Sequence, residues 1–257
     1  MHRVVQGRFI IMKMTHRERF VVKFHEVDFR GKVKLFTIMD YIQHTAEVHG
    51  TSIGLGFENM MNHGLFWVVS RMKLNMERYP GACEEVIIET ELAGCEKLFC
   101  VRRFTILDSK ENIIGNATLY YLMLDAKTKF PQKPKVCPID IINVDVDNKG
   151  HEGLKKLKMP GDEPLVINRA LYYNEIDANN HVNNAKYVSF VEDCFSLKWH
   201  EEHEIASMQI NYVKEIKAED TLKLNIYSEE VAEKIYYING TNEDSSLEFF
   251  QCKVNYR

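Results

Sequence analysis

Residues 177–187 form a polar segment whose side chains are suited to acid–base chemistry. Asp177, Asn179 and His181 alternate along it, and the first eight residues hold four asparagines, one aspartate and one histidine. Histidine exchanges protons near neutral pH, and a carboxylate or an amide beside it can orient the ring or hold a water molecule. The segment is therefore the first candidate for a reaction centre.

A strand-to-helix loop with Asx turns would have a similar composition. This structural interpretation is sufficient for Asn183 and Asn184, one of which is expected to cap the helix that follows. Asn180 is assigned no functional role. An internal repeat decides between the two interpretations for the remaining residues.

The chain contains two similar halves, which are found by sliding the sequence along itself. The offset is 149 (177 − 28) around the polar segment and 136 (208 − 72) further downstream. The matched pairs include Asp28 with Asp177, Gln43 with Glu192, and Met72 with Met208. Each half predicts a strand, a helix and several long strands, so duplication of one α+β unit explains the length of 257 residues.

The repeat separates residues that the fold needs from residues that chemistry needs. An aspartate in both halves predicts a shared structural task, such as holding the loop backbone. Asn179 and His181 stand where the first half has Arg30 and Lys32, so the fold does not require them. We predict that both are catalytic.

Glu215 is the fourth candidate and stands where the first half has Tyr79 (215 − 136). A glutamate at the end of a strand is usually only solvated. Glu215 gains interest because the strand that carries it follows the helix behind the polar segment.

Apolar spacing predicts the elements that position these residues. A capping-box pattern at Thr37 begins a helix that runs to Gly54, and a second helix runs from Asn183 or Asn184 to about Trp199. Alternating apolar residues predict strands at 71–77, 85–92, 98–107, 113–124, 205–213, 221–228, 231–239 and 247–256.

Composition and charge exclude several classes of protein. The 33 Lys and Arg against 37 Asp and Glu give a net charge of −4, unlike the basic footprint of a non-specific nucleic-acid binder. No apolar run approaches the ~20 residues that cross a bilayer, and no secretory signal pattern is present. We therefore expect a soluble, cytoplasmic protein without membrane insertion. The six cysteines lack metal-ligand or disulfide spacing, so neither a metal nor a cofactor is expected.

Several motifs together resemble the fatty acyl-ACP thioesterase family. They are the run 179–187 with Asp177 ahead of it, Glu215 downstream, and residues 67–72 and 78–80 in the first half. The similarity extends over roughly residues 19–256. The resemblance implies an α+β tandem (double) hot-dog fold, with two antiparallel sheets each wrapped round a central helix.

The implied domain division is a first hot-dog unit at residues 1–125 that binds the acyl chain, a linker at 126–163, and a second unit at 164–257 that carries the catalytic residues. Four prolines and many charged residues in the linker region agree with this division. The two units are expected to form a pseudo-dimer within one chain, and a further homodimer stays open.

The implied activity is hydrolysis of the thioester between a fatty acyl chain and the phosphopantetheine arm of acyl carrier protein (ACP). Its catalytic set falls on Asp177, Asn179, His181 and Glu215. Plant members of the family carry a cysteine directly after the glutamate, and Ile216 excludes a thiol nucleophile at that position. Water is therefore the expected acyl acceptor.

Two mechanisms are open for Glu215. It can activate water with help from His181, or it can attack the carbonyl itself and form a short-lived anhydride. Asn179 is expected to position the water or the carbonyl, Asp177 to orient the loop, and the amides at the start of the second helix to stabilise the oxyanion. Cys194 lies on an apolar helix and is expected to be buried.

The first half lacks the polar set, and the resemblance assigns it the acyl chain. Its candidate lining residues, which are equally compatible with plain core, are Met60, Met61, Phe66, Trp67, Ile42 and Ala46. ACP is acidic, so its docking surface should be locally basic. The basic candidates are Arg71, Lys73, Arg78, Lys127, Lys129, Lys133, Lys155, Lys156 and Lys158.

Three alternatives remain. Acyl-CoA is a rival substrate, a hot-dog dehydratase is a rival enzyme, and an acyl-thioester binding protein without catalysis is a rival outside enzymology. The preferred acyl chain length is not determined by the sequence.

Overall fold

The computed structural model of the protein describes residues 15–141, 153–229 and 234–257. Residues 142–152 of the predicted linker and the start of the strand predicted at 231–239 lie outside the described residues. The helices are α1 (Leu35–Ser52), α2 (Phe57–Asn62), α3 (Lys186–Glu192) and α4 (Leu197–Glu202), and the strands are β1 (Thr15–Val21), β2 (Leu65–Met76), β3 (Glu85–Glu96), β4 (Phe99–Asp108), β5 (Ile113–Asp125), β6 (Leu165–Arg169), β7 (Ile205–Tyr212), β8 (Leu222–Glu229), β9 (Ile235–Thr241) and β10 (Glu248–Tyr256).

These strands form one antiparallel sheet in the order β1-β3-β4-β5-β2-β7-β10-β9-β8-β6. The order reads as the same five-strand unit from either end, which confirms the predicted α+β tandem fold. One feature differs from the expectation of two sheets, because β2 and β7 pair with each other and join the two sheets into one. The junction satisfies two strand edges whose backbone N–H and C=O groups would otherwise be unpaired.

The register across this junction relates the two halves. Lys73 pairs with Gln209, its own counterpart at the offset of 136 (209 − 73), and Leu74 pairs with Met208, the counterpart of Met72. An approximate two-fold axis therefore passes through the Lys73–Gln209 pair. A contact that one half makes on the other is expected to recur with the roles exchanged.

Most predicted strands are confirmed with small shifts, but β2 begins at Leu65 and not at Arg71. The residues from Leu65 to Ser70 are buried or half-buried on both faces of the strand. A strand covered on both faces shows no alternation of apolar and polar residues, so periodicity did not indicate it.

The start of α1 differs from the predicted capping box. The helix begins at Leu35, and Thr37 is buried in its first turn with its N–H donating to the carbonyl of Lys34 (3.0 Å). Burial of Leu35 and Ile38 anchors this turn. Each such side chain contributes about 1.5–3 kcal/mol, more than the ~1 kcal/mol typical of a side-chain cap.

The predicted second helix is broken into α3 and α4. The N–H groups of Cys194 and Phe195 bond to carbonyls three residues back, which tightens the chain and ends α3. The hydroxyl of Ser196 then accepts the N–H of Trp199 (3.2 Å) and begins α4. The prediction of one helix to Trp199 was wrong because the Ser196 cap competes with helix continuation.

Two apolar clusters fill the interior. The larger one spans both halves and includes buried residues of α1, α3 and the sheet. The smaller one lies under α2 and contains Leu55, Met60, Leu65, Cys100, Met123 and Ile141, with Trp67 packed against it. The first half therefore has an apolar region of its own, separate from the core that it shares with the second half.

Candidate active site

The carboxylate of Asp177 holds the loop before α3 in shape. Its Oδ1 accepts hydrogen bonds from the backbone N–H of Asn179 (2.8 Å) and of His181 (3.3 Å). The N–H of Asp177 donates to the carbonyl of His181 (2.8 Å). Asn180, at the tip, has a φ of 63°, a left-handed conformation that asparagine tolerates better than most residues. Asp177 thus fixes the backbone that carries Asn179 and His181.

The first half repeats this loop. Oδ1 of Asp28 accepts the N–H groups of Arg30 (2.8 Å) and Lys32 (3.1 Å), and Gly31 has a φ of 74° where the second half has Asn180. The predicted task of the shared aspartate, holding the loop backbone, is confirmed. The left-handed conformation of Asn180 accounts for that residue without a chemical role.

His181 and Glu215 meet at the base of the second-half loop. Nε2 of His181 lies 3.5 Å from Oε1 of Glu215. His181 pairs with Lys217 in an isolated β-bridge, and the N–H of Val182 donates to the carbonyl of Ile216 (2.8 Å). These backbone contacts fix the two segments against each other. The side chains of His181 and Glu215 are 29% and 54% exposed, so water and substrate can reach both.

Tyr187 supports the segment that carries Glu215. Its hydroxyl oxygen accepts the backbone N–H of Ile216 (3.3 Å), and its ring meets the edges of Tyr212 and Phe250. Burial raises the pKa of the Tyr187 phenol, so this group stays protonated at neutral pH. Tyr187 is a support and not a candidate base.

All four predicted catalytic residues therefore lie on two adjoining segments. The amide Nδ2 of Asn179 is 3.5 Å from Oδ2 of Asp177, and Asn179 is exposed at the rim of the loop. Their chemical roles stay predictions.

The counterparts in the first half are occupied by structural contacts. Nη2 of Arg30 lies 2.7 Å from Oδ2 of Asp28, and the ammonium of Lys32 forms an ion pair with Glu204. Tyr79 is buried, and its hydroxyl donates to a backbone carbonyl at the start of β7 (2.9 Å). These groups bind the two halves together and are not free for chemistry.

Cys194 is a poor nucleophile in this setting. Burial raises the pKa of its thiol to about 12, and Sγ donates to the carbonyl of Phe190 (3.2 Å). The thiolate is the reactive form of cysteine, and it is scarce at neutral pH when the pKa is this high. Ile216 is fully buried, as an apolar residue beside Glu215 should be.

A cavity of about 560 Å³ lies beside the first-half loop. Asp28, Arg30 and Tyr79 line it together with Glu192 of α3. Burial raises the pKa of the Glu192 carboxyl to about 8. Sequence reasoning assigned Glu192 no role, although the repeat offered a signal by matching it with the uncharged Gln43.

The six candidate acyl-chain residues fall into three places. Met60 and Trp67 meet in the cluster under α2, whereas Ile42 is fully buried in the larger core with Ala46 packed against it. Met61 is 41% exposed. Phe66 points to the other face of β2, where the ammonium of Lys129 lies 4.5 Å from the ring centroid. The structure brings Met60 and Trp67 together and separates them from Ile42 and Ala46.

Comparison with known proteins identifies the family. The model of the acyl-ACP thioesterase N-terminal domain matches residues 13–139, and that of the C-terminal domain matches residues 164–253. The chain belongs to the acyl-ACP thioesterase family. The resemblance in the catalytic loop is thus part of a match over most of the sequence.

Relatives within this family include plant enzymes. A chloroplastic acyl-[acyl-carrier-protein] hydrolase of Cuphea viscosissima is 26% identical over 84% of this chain and 56% of its own length. A chloroplastic oleoyl-acyl carrier protein thioesterase of Coriandrum sativum is 27% identical over 92% of this chain and 71% of its own. The chain thus spans only about half to three quarters of these relatives.

A solved structure supports the fold. The crystal structure of an acyl-ACP thioesterase from Bacteroides thetaiotaomicron superposes with a TM-score of 0.83 at 22% identity, covering 95% of this chain and 98% of that one. The likeness confirms the double hot-dog fold. Within the described ranges, no helix is both long and apolar enough to cross a membrane, and no group of three or more His, Cys, Asp or Glu side chains is placed to hold a metal ion.

Proposed function

We propose that this protein hydrolyses the thioester of fatty acyl-ACP and releases a free fatty acid and holo-ACP. Membership of the acyl-ACP thioesterase family supports the substrate class. The observation that carries the chemistry is the approach of His181 to Glu215 on a loop held by Asp177. The first half keeps the same loop but has Lys32 and Tyr79 at these positions.

In the proposed reaction Glu215 takes a proton from a water molecule while His181 orients the carboxylate and shares the proton. The water oxygen bonds to the acyl carbon, the carbonyl becomes an oxyanion, and the C–S bond then breaks. The leaving thiolate, with a pKa near ~8.5 for a simple thiol, takes up the proton. Asn179, at the rim of the loop, positions the attacking water.

The backbone amides at the start of α3 are partly committed elsewhere. The N–H of Ala185 donates to Oδ1 of Asn183 (2.8 Å), and that of Lys186 donates to the carbonyl of Asn183 (2.9 Å). The expectation that these amides stabilise the oxyanion therefore needs a further donor.

The acyl chain is assigned to the first half, with Met60 and Trp67 as the lining that the structure brings together. The proposal keeps the division into units 1–125 and 164–257 around a linker at 126–163, with the two units as an internal pseudo-dimer. ACP is the proposed partner through its acyl-phosphopantetheine arm, and the cytoplasm is the proposed location.

A thiol-release assay tests the function. We expect thiol release from acyl-ACP by the wild type, and a fall in kcat of about 10²- to 10⁴-fold for Glu215→Gln and His181→Ala, because each loses part of the base. Circular dichroism should show both variants folded. Near-normal turnover by Glu215→Gln would contradict the assignment of the base.

The same assay separates the alternatives when acyl-ACP and acyl-CoA of several chain lengths are compared. Faster hydrolysis of acyl-CoA at every length would replace the ACP proposal. No thiol release from either substrate would remove the hydrolase proposal in favour of a dehydratase or a binding protein.

A further inference from the structure

The side chain of Gln43, in the third turn of α1, has an unsatisfied amide. Its Nε2 is buried and has no hydrogen-bond partner among the described residues. Leaving a buried donor unpaired costs stability, and natural proteins retain such groups mainly where a ligand or a reaction uses them. The amide therefore calls for a partner that is not part of the protein.

The repeat indicates where Gln43 lies. Its counterpart is Glu192 (192 − 149), which lines the 560 Å³ cavity beside the first-half loop. The same cavity is lined by Asp28, Arg30 and Tyr79. The other half's helix therefore supplies one wall of the space that this loop faces.

Applying the same offsets to that cavity gives the candidate active site. Its loop residues become Asp177, Asn179 and Glu215, and the helix residue that faces them becomes Gln43. The approximate two-fold axis through the Lys73–Gln209 pair makes the two spaces equivalent.

A direct contact supports this placement. The ammonium of Lys186, at the start of α3, lies 4.7 Å from the ring centroid of Phe36 in the first turn of α1. Asp40 of α1, three residues before Gln43, is also close enough for Lys186 to influence its ionisation. The beginning of α3 thus lies against the helix face from which Gln43 projects.

We propose that Gln43 donates a hydrogen bond from Nε2 to the carbonyl oxygen of the substrate thioester and stabilises the oxyanion that forms there. This assignment rests on the proposed hydrolysis. It supplies the donor that is missing where Asn183 already uses the amides of Ala185 and Lys186. A neutral amide suits this position, since a carboxylate such as that of Glu192 would repel a developing negative charge.

A matched pair of variants tests the proposal. Gln43→Met keeps the shape of the side chain and removes the amide, while Glu192→Met makes the same kind of change at the equivalent position of the other half. We expect Gln43→Met to lower kcat by about 10²- to 10³-fold with little change in KM, because the hydrogen bond strengthens as the oxyanion forms. Glu192→Met should leave kcat and KM unchanged.

Thermal unfolding provides a readout that does not need activity. Removal of an unpaired buried amide should leave the unfolding temperature of Gln43→Met equal to or above that of the wild type. A clear decrease would mean that the amide has a structural partner, and would overturn the proposal.

The outcomes separate this inference from the proposed function. An active wild type with normal kcat in Gln43→Met, or equal losses of kcat in both variants, overturns the role of Gln43 alone. A wild type that releases no thiol from any acyl thioester overturns the proposed function and, with it, the oxyanion role.

Discussion

His181 and Lys32 show how a single residue changes the task of a shared loop. Lys32 forms an ion pair with Glu204 of the other half, whereas His181 meets Glu215 of its own half. The first contact joins the halves, and the second leaves a titratable ring within reach of water. At this scale the repeat alone selected the right positions, since the loop backbone is the same in both halves.

Glu192 yields a prediction on stability and pH. Its carboxyl has a pKa of about 8 in the folded protein, against 4.5 for an unperturbed glutamate, because it is buried. The folded state thus binds more protons than the unfolded state between these values, and the contribution of this group to stability, complete below pH 4.5, is lost as pH rises towards 8. Glu192→Gln removes the titration.

We therefore expect the difference in unfolding temperature between Glu192→Gln and the wild type to grow from pH 5 to pH 8, as measured by calorimetry. A difference that is constant across this range would contradict the raised pKa. Glu215→Gln, at an exposed position, serves as the control and should show no such growth.

At the scale of elements, the break between α3 and α4 is the main departure from the sequence pattern. Periodicity continues through the break, because Phe195 and Trp199 are both apolar and stack on each other with ring centroids 5.7 Å apart. The decisive signal is the local cap of Ser196. An N-cap within an apolar run is easily overlooked when the run itself fits a helix.

Ser196→Ala tests the importance of this cap. Losing the acceptor for the N–H of Trp199 should cost about 1 kcal/mol of unfolding free energy, within the ~0.5–2 kcal/mol range for caps. For a protein of this size this amounts to a fall of roughly 2–4 °C in the unfolding temperature. Ser196→Asp keeps an acceptor and should be close to the wild type, and an unchanged temperature in Ser196→Ala would contradict the cap.

At the scale of the whole molecule, the end of the predicted linker lies across the junction of the halves. The guanidinium of Arg71 donates to the carbonyl of Leu154, and Nε2 of Gln209 donates to that of Lys155 (2.8 Å). Since Gln209 pairs with Lys73, this contact places Lys155 near another exposed cation. Arg78, by contrast, is engaged by Glu84 (Nη1 to Oε2, 2.7 Å). The basic docking candidates are thus gathered partly by tertiary structure.

If ACP docks through such lysines, KM for acyl-ACP should rise steeply with salt while kcat stays constant, because screening weakens long-range attraction. An acyl-pantetheine substrate, which lacks both phosphate and ACP, should show no salt dependence of KM. Steady-state kinetics at several ionic strengths measures both. An equal response of the two substrates would exclude electrostatic docking.

The sequence by itself determined the duplication, most strands, and the loop residues Asp177, Asn179 and His181. These features depend on periodicity and on hydrogen bonds between residues at most four apart, so they are visible in short stretches of chain. Only the tertiary structure decided that the two sheets join through β2 and β7, that Met60 and Trp67 lie apart from Ile42, and that the amide of Gln43 is left unpaired. These outcomes depend on which surfaces meet across the two halves, and that is fixed by the packing of elements distant in sequence.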